Sequence, residues 1–332
     1  MKLPGKYGNI RAMRASLALA ISDWLITFPV LYAWSKKTAS SLRLDYTANQ
    51  RKQIEKDIRH GACFITNHRD IIMDAAWLSM LLRARYMIRP YMGIGNNLFG
   101  HWWLEGLMRF LRCFVVIRNG STRDQLKNSQ ELGAYICHIR ERHRSIWIAQ
   151  REGRAKDGND VTQPAVLKMM TLGADDFLDG IEMLNICPVS ISYQYDPCDY
   201  LKAREMQLRR DIPNWRKTKR DDLVSMETGI KGWKGDVVFR MTPSINHWLQ
   251  EHRAELEKLT RQEQVQAVAA QIDKQIHANY EIYPRGEEFE NYLRERIDKI
   301  DIADKDETFL HDKLEEMYHN PVLNYEEAQK QQ

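Results

Sequence analysis

Between residues 61 and 154, short apolar runs alternate with longer stretches in which apolar positions recur at helical spacing. The runs at 62–66 (ACFIT), 86–92, 114–118 and 145–149 have the length and β-branched or aromatic content of buried strands. The stretches 70–83, 98–112 and 122–142 between them repeat as helices. Such alternation predicts an α/β fold: a single twisted, mostly parallel sheet flanked by helices. A loop rich in Gly and charge follows, and then a helix over 164–178, with Pro164 suited to its first turn. Further strands are expected over 187–195 and 236–241. The polar and basic stretch between those two strands, with Arg209, Arg210, Arg216, Lys217, Lys219 and Arg220, reads as a solvated insertion. Beyond Thr242 the pattern is helical, over 244–280 and again from 287 to a frayed tail.

Residues 15–34 (ASLALAISDWLITFPVLYAW) form the one segment with membrane character. The stretch is long enough to cross a bilayer, but it contains Asp23 and Pro29 and is flanked by cations on both sides, Arg11 and Arg14 before it and Lys36 and Lys37 after it. Two-sided positive charge favours an amphipathic or re-entrant helix lying in the membrane face over a buried core helix or a full span. The expected division is therefore an N-terminal amphipathic, membrane-associating helical region at 1–58, an α/β domain at 59–242 and a helical C-terminal extension at 243–332.

Composition narrows the function classes. At 43% hydrophobic and 28% charged residues, the chain is an ordinary globular one, and a net charge of +4 over 332 residues gives little attraction to nucleic acid. Five scattered cysteines without a CxxC pair point to reduced thiols in a cytoplasmic setting and to no zinc site, and His138 and His143 lack a convincing third ligand.

The candidate chemistry centres on His68. It falls where the first strand gives way to a helix, the edge of an open α/β sheet at which ligands collect, and an imidazole there can take a proton from a hydroxyl. A His with a nearby Asp is, on its own, more often a cap or a surface hydrogen bond. The sequence His68, Arg69, Asp70 also occurs in protein-kinase catalytic loops, but Ala75 stands where that loop carries Asn, and neither the Gly-rich loop nor DFG is present.

Three further stretches change the weight of His68. NHRDIIMD at 67–74 is followed by GNNLF at 95–99 leading into CFVVIRNGS at 113–121, by QREGRAKDG at 150–158 and by CPVSISY at 187–193. In order and spacing these blocks resemble the glycerolipid acyltransferase family, over residues 60–242. The resemblance implies that His68 is a general base held by a carboxylate. Asp74 is the acid chosen here, although five residues separate it from His68, one more than in the family motif. Asp70 is the alternative, and its place at a helix start equally suits an N-cap. Backbone amides of the turn at 67–70 are candidate oxyanion donors. The resemblance also implies that Arg118 and Arg154 bind the acceptor's phosphate, that Glu152 orders that site and that Gly153 permits its turn. The block reads EGR followed by Ala155, one residue shorter than the common EGTR.

The implied activity is transfer of a fatty acyl group from a thioester donor, acyl-CoA or acyl carrier protein, to a hydroxyl of glycerol-3-phosphate or a lysophospholipid, in phospholipid synthesis. It needs no metal and no cofactor beyond the donor. The implied partner is a membrane lipid surface, with no nucleic acid, and the implied location is the cytoplasmic face of the membrane, as a peripheral or monotopic protein. The alternatives are a non-catalytic lipid-binding membrane adaptor on the same fold and an acyltransferase with a non-glycerol lipid acceptor.

Overall fold

The computed structural model describes residues 28–95, 112–116 and 122–330. Residues 15–27 of the membrane-like segment, Asn97 and Leu98, the stretch 101–111 and Arg118 lie outside the described residues. The strands are β1 (Ser41–Tyr46), β2 (Cys63–Thr66), β3 (Tyr91–Gly95), β4 (Cys113–Val116), β5 (Ile146–Ala149), β6 (Ile186–Tyr193) and β7 (Asp236–Met241). They form one seven-stranded sheet in the order β1-β7-β6-β2-β5-β3-β4. Neighbours pair in parallel throughout except β6 with β7, so β1 and β7 run against the other five. The strand β2 is buried at all four positions, as an apolar run covered on both faces must be. It lies between β5 and β6, with Thr66 opposite both Ala149 and Val189, which brings the carboxyl ends of β2 and β5 side by side.

The helices are α1 (Phe28–Thr38), α2 (Arg51–Asp57), α3 (Met73–Tyr86), α4 (Thr122–Glu141), α5 (Pro164–Thr171), α6 (Phe177–Leu184), α7 (Asp199–Asp211), α8 (Lys219–Lys231), α9 (Asn246–Leu256), α10 (Arg261–His277), α11 (Glu287–Asp298) and α12 (Glu307–Lys330). One sheet face, through Cys63, Ile65 and Ile148, packs against α4, α5, α6, α9 and α10. The other, through Phe64, Trp147 and Val189, packs against α2, α3 and Met226 of α8. A third apolar cluster joins Ala203 of α7 to Leu293 of α11 and Leu310 and Leu314 of α12.

Several elements differ from the sequence reading. The segment Ser41–Tyr46 is a sheet strand upstream of residue 58, with Leu42, Leu44 and Tyr46 packed on the core and the alternate positions facing out. Tyr86 closes α3 instead of opening β3. Met87 ends the helix in the left-handed region at φ 58°, and pairing to β5 begins only at Tyr91, after Pro90. The helix expected over 164–178 is two helices. Gly173 and Gly133 pack backbone to backbone at the break, and the Asp176 side chain accepts from the Leu178 and Asp179 amides to start α6.

The stretch expected to be a solvated insertion is the α7–α8 hairpin. Ala203 and Met226 are buried, and a capping box between Thr218 and Asp221 starts α8. The C-terminal helices complete the core, since Val265, Val268, Ile272 and Ile276 of α10 cover the sheet beside β6. Among the described residues, no helix is long and apolar enough to cross a membrane.

Candidate active site

The turn after β2 is fixed from below. Asn67 is fully buried, and its side chain donates to the Ile191 carbonyl (2.9 Å) and accepts from the Ile191 amide (2.7 Å), locking the turn to β6. His68 follows. Its Nδ1 lies 2.9 Å from Asp74 Oδ2, and its ring stands edge-on to Trp147 at 6.5 Å. The extra residue between His68 and Asp74 is taken up in the turn that precedes α3, so Asp74, second residue of that helix, still reaches the ring.

Asp74 is held from every side. Oδ2 also accepts from the backbone amides of Arg69 (2.7 Å) and Asp70 (2.9 Å), and Oδ1 accepts from the Tyr193 hydroxyl (2.9 Å). Four donors on one buried carboxylate leave it no freedom to rotate. With Oδ2 accepting from His68 Nδ1–H, Nε2 is the nitrogen left with a lone pair. One expectation is corrected here: the Arg69 and Asp70 amides hold Asp74 and are not available as oxyanion donors.

Asp70 does something different. Its Oδ1 accepts from the Ile72 (2.9 Å) and Met73 (2.8 Å) amides, satisfying donors at the start of α3. Burial, with the neighbouring Asp74 charge second, pushes its pKa up. Its Oδ2 lies so close to α8 that any side chain on Gly229 would collide with it.

The loop after β5 stands beside this turn. The Gln150 amide donates to the Thr66 carbonyl, and the Glu152 amide donates to Gln163 Oε1 (2.7 Å). Gly153 sits at φ +69° with open space around it, so backbone conformation is what calls for glycine there. The loop is braced from behind. Arg69 reaches Asp160 at 3.4 Å, the Asp160 carbonyl faces His277 Nε2 at 2.7 Å, and Asp273 of α10 accepts from the Thr162 amide and hydroxyl.

His68, Glu152, Gly153 and Arg154 all line one cavity of about 770 Å³ at the carboxyl edge of the sheet. Its lining combines apolar side chains from β3, β4, β5 and α5 (Ile94, Val116, Ile148, Val166 and Met169) with charged ones from the loop after β5 and the α7–α8 hairpin: Arg151, Arg154, Lys156, Lys202 and Lys217, against Glu152, Asp157 and Asp222. Lys202 is buried and bonds Asp196 at 2.5 Å, Lys156 pairs with Glu205, and Lys217 pairs with Asp222 at 2.7 Å. Arg154 Nη1 is buried with no hydrogen-bond partner among the described residues, and Cys198, Asp196 and Asp70 lie near enough to the guanidinium to favour its charged form against burial. Burial pushes the neighbouring Cys198 thiol up to about 11, so it is not a thiolate near neutral pH.

The structure thus brings together His68, Asp74, Glu152, Gly153 and Arg154, with Asp70 beneath them. Sequence reasoning missed Tyr193, Lys156 and Lys202 and placed Lys217 in a solvated segment. Tyr193 ends the quoted CPVSISY strand, so its position at the sheet's carboxyl edge was available from the pattern, whereas the folding of the α7–α8 hairpin over the cavity was not.

Residues 46–176 match the family model described as Acyltransferase. Comparison with curated proteins returned no match. The matched segment runs from the last residue of β1 to the start of α6 and contains the His68 turn, the 151–157 loop and the apolar lining residues Ile94, Val116, Ile148, Val166 and Met169. Residues 46–176 are an acyltransferase domain, of the family of glycerolipid acyltransferases.

Proposed function

We propose that this acyltransferase moves a fatty acyl group from a thioester donor, acyl-CoA or acyl carrier protein, to a hydroxyl of a phosphate-bearing acceptor, glycerol-3-phosphate or a lysophospholipid, at a membrane surface. The observation that carries this reading is the bonded His68–Asp74 pair, with His68 in the wall of a cavity whose lining supplies both apolar side chains and five cations. An acyl chain suits the apolar side chains, an acceptor phosphate suits the guanidinium groups of Arg151 and Arg154, and the reacting atoms then meet near His68.

In this reading His68 Nε2 takes the acceptor's hydroxyl proton as that oxygen attacks the thioester carbonyl. Asp74 keeps the other nitrogen protonated and stabilises the imidazolium. The tetrahedral intermediate collapses with cleavage of the carbon–sulfur bond, the new ester forms, and the departing thiolate recovers the proton from His68. Arg154, with Arg118, binds the phosphate, Gly153 gives the loop its turn, and Glu152 orders the loop.

The adaptor alternative drew on the longer His–Asp spacing and on the shortened EGR loop; the bonded pair at 2.9 Å answers the first of these. The test is transfer of labelled acyl groups to glycerol-3-phosphate, lysophosphatidic acid and phosphate-free alcohols. Transfer favouring phosphate-bearing acceptors, with Arg154→Ala raising KM for these alone, supports the reading. Equal use of phosphate-free acceptors overturns the acceptor assignment.

A further inference from the structure

The outer face of the α7–α8 hairpin has a composition that neither packing nor helix stability explains. Lys217 and Asp222 turn inward and line the cavity, and Gly229 lies against Asp70, so α8 stretches from the cavity over the His68 turn. At 13 residues it spans about 20 Å. On its outer side Arg216, Lys219 and Arg220 are exposed and pair with no acid among the described residues, while the nearby acids are already engaged: Asp222 with Lys217, Asp221 with Thr218 and Arg204, and Glu227 with Lys231. The field leaving this face is therefore positive. Lys219 and Arg220 occupy the first two positions of α8, where cations oppose the helix dipole. Exposed aliphatic side chains stand near them, Ile212 at 46% at the hairpin tip and Val224 at 39% one turn along the helix from Arg220, and Trp233 is 52% exposed beyond the far end of α8.

We propose that this face docks on an anionic lipid surface, with the cavity mouth presented to the bilayer. Cations placed at the expense of helix stability, beside exposed aliphatic side chains, match a surface of anionic headgroups over an apolar layer. The inference rests on the proposed acyl-transfer reading, because a lipid acceptor would then reach His68 along the hairpin without crossing water.

The test uses the full chain and the variant Arg216→Gln/Lys219→Gln/Arg220→Gln, which leaves the cavity lining intact. Vesicles of phosphatidylcholine with about a quarter phosphatidylglycerol are compared with phosphatidylcholine alone by co-flotation. Each cation near such a surface contributes about fivefold in affinity, so the variant is expected to bind the anionic vesicles about a hundredfold more weakly, with binding to neutral vesicles and melting temperature unchanged. Equal binding of variant and wild type to anionic vesicles overturns the proposal. So does a variant that floats normally but loses turnover with acyl carrier protein alone, since the rim would then be a carrier-protein dock. Turnover of a short-chain, water-soluble thioester is measured separately: its absence in the wild type would remove the acyl-transfer reading and leave the vesicle comparison standing.

Discussion

Replacing Asp74 by asparagine isolates the charge behind His68 from the geometry around it. The oxygen of the new carboxamide can occupy the Oδ2 position and keep the amides of Arg69 and Asp70, while its nitrogen donates to the Tyr193 oxygen, so the turn and α3 persist. What is lost is the negative charge that stabilises an imidazolium. Removing the acid behind a catalytic His in this way lowers turnover by about four orders of magnitude, or roughly 5.5 kcal/mol in the barrier. The stability cost is far smaller, about 1–3 kcal/mol for weakening charge-assisted bonds to a buried group. Asp70→Asn is the matched control: it keeps an acceptor for the Ile72 and Met73 amides and removes a buried carboxyl whose ionisation Asp74 already opposes. Single-turnover release of a labelled acyl group, read beside thermal melts, should show Asp74→Asn folded and nearly inactive and Asp70→Asn within a few fold of wild type. Full activity in Asp74→Asn with loss in Asp70→Asn would refute the assignment of the acid.

Tyr193→Phe removes only the bond to Asp74 Oδ1, so turnover should fall about tenfold with KM unchanged, and a change in KM alone would contradict that positioning role. Gly158 has φ +76°, and a side chain on it would strike the Met317 carbonyl of α12. Gly158→Ala should therefore lower the melting temperature by an amount equivalent to about 2 kcal/mol or more, where an unchanged melt would show that α12 yields freely. Burial lifts the Asp273 carboxyl from 3.8 to about 6, which the bonds from Thr162 only partly offset. The folded state then holds this proton more tightly than the unfolded chain does. Its contribution to stability is complete below the unfolded pKa and declines by about 3 kcal/mol as pH rises through the folded one. Asp273→Asn should flatten that part of the melting profile relative to wild type, and parallel profiles would rule the group out.

The central sheet was legible because β2, β5 and β6 are apolar runs covered on both faces, and burial of that kind leaves a plain signature. Edge strand β1 was missed because alternation of Leu42, Leu44 and Tyr46 with polar residues follows directly on a helix and half of it faces solvent. The break between α5 and α6 turned on two glycines 40 positions apart, Gly133 and Gly173, whose contact no local pattern contains. At the site, the residue types and their order singled out His68, Asp74 and the EGR loop, which the fold brings together, yet which acid meets the imidazole depended on how the turn takes up one residue. The hairpin of α7 and α8 read as solvated because its charges outnumber its apolar positions. Its lysines nevertheless line the cavity, because pairs such as Lys202 with Asp196 make burial tolerable.

The measurement that bears most directly on the central claim is acyl transfer from radiolabelled acyl-CoA and acyl carrier protein to the acceptor panel, comparing wild type with His68→Ala of equal thermal stability. The His68–Asp74 geometry predicts transfer by the wild type from at least one donor and a loss of at least roughly a thousandfold in the variant. Transfer that continues undiminished without the imidazole would contradict it.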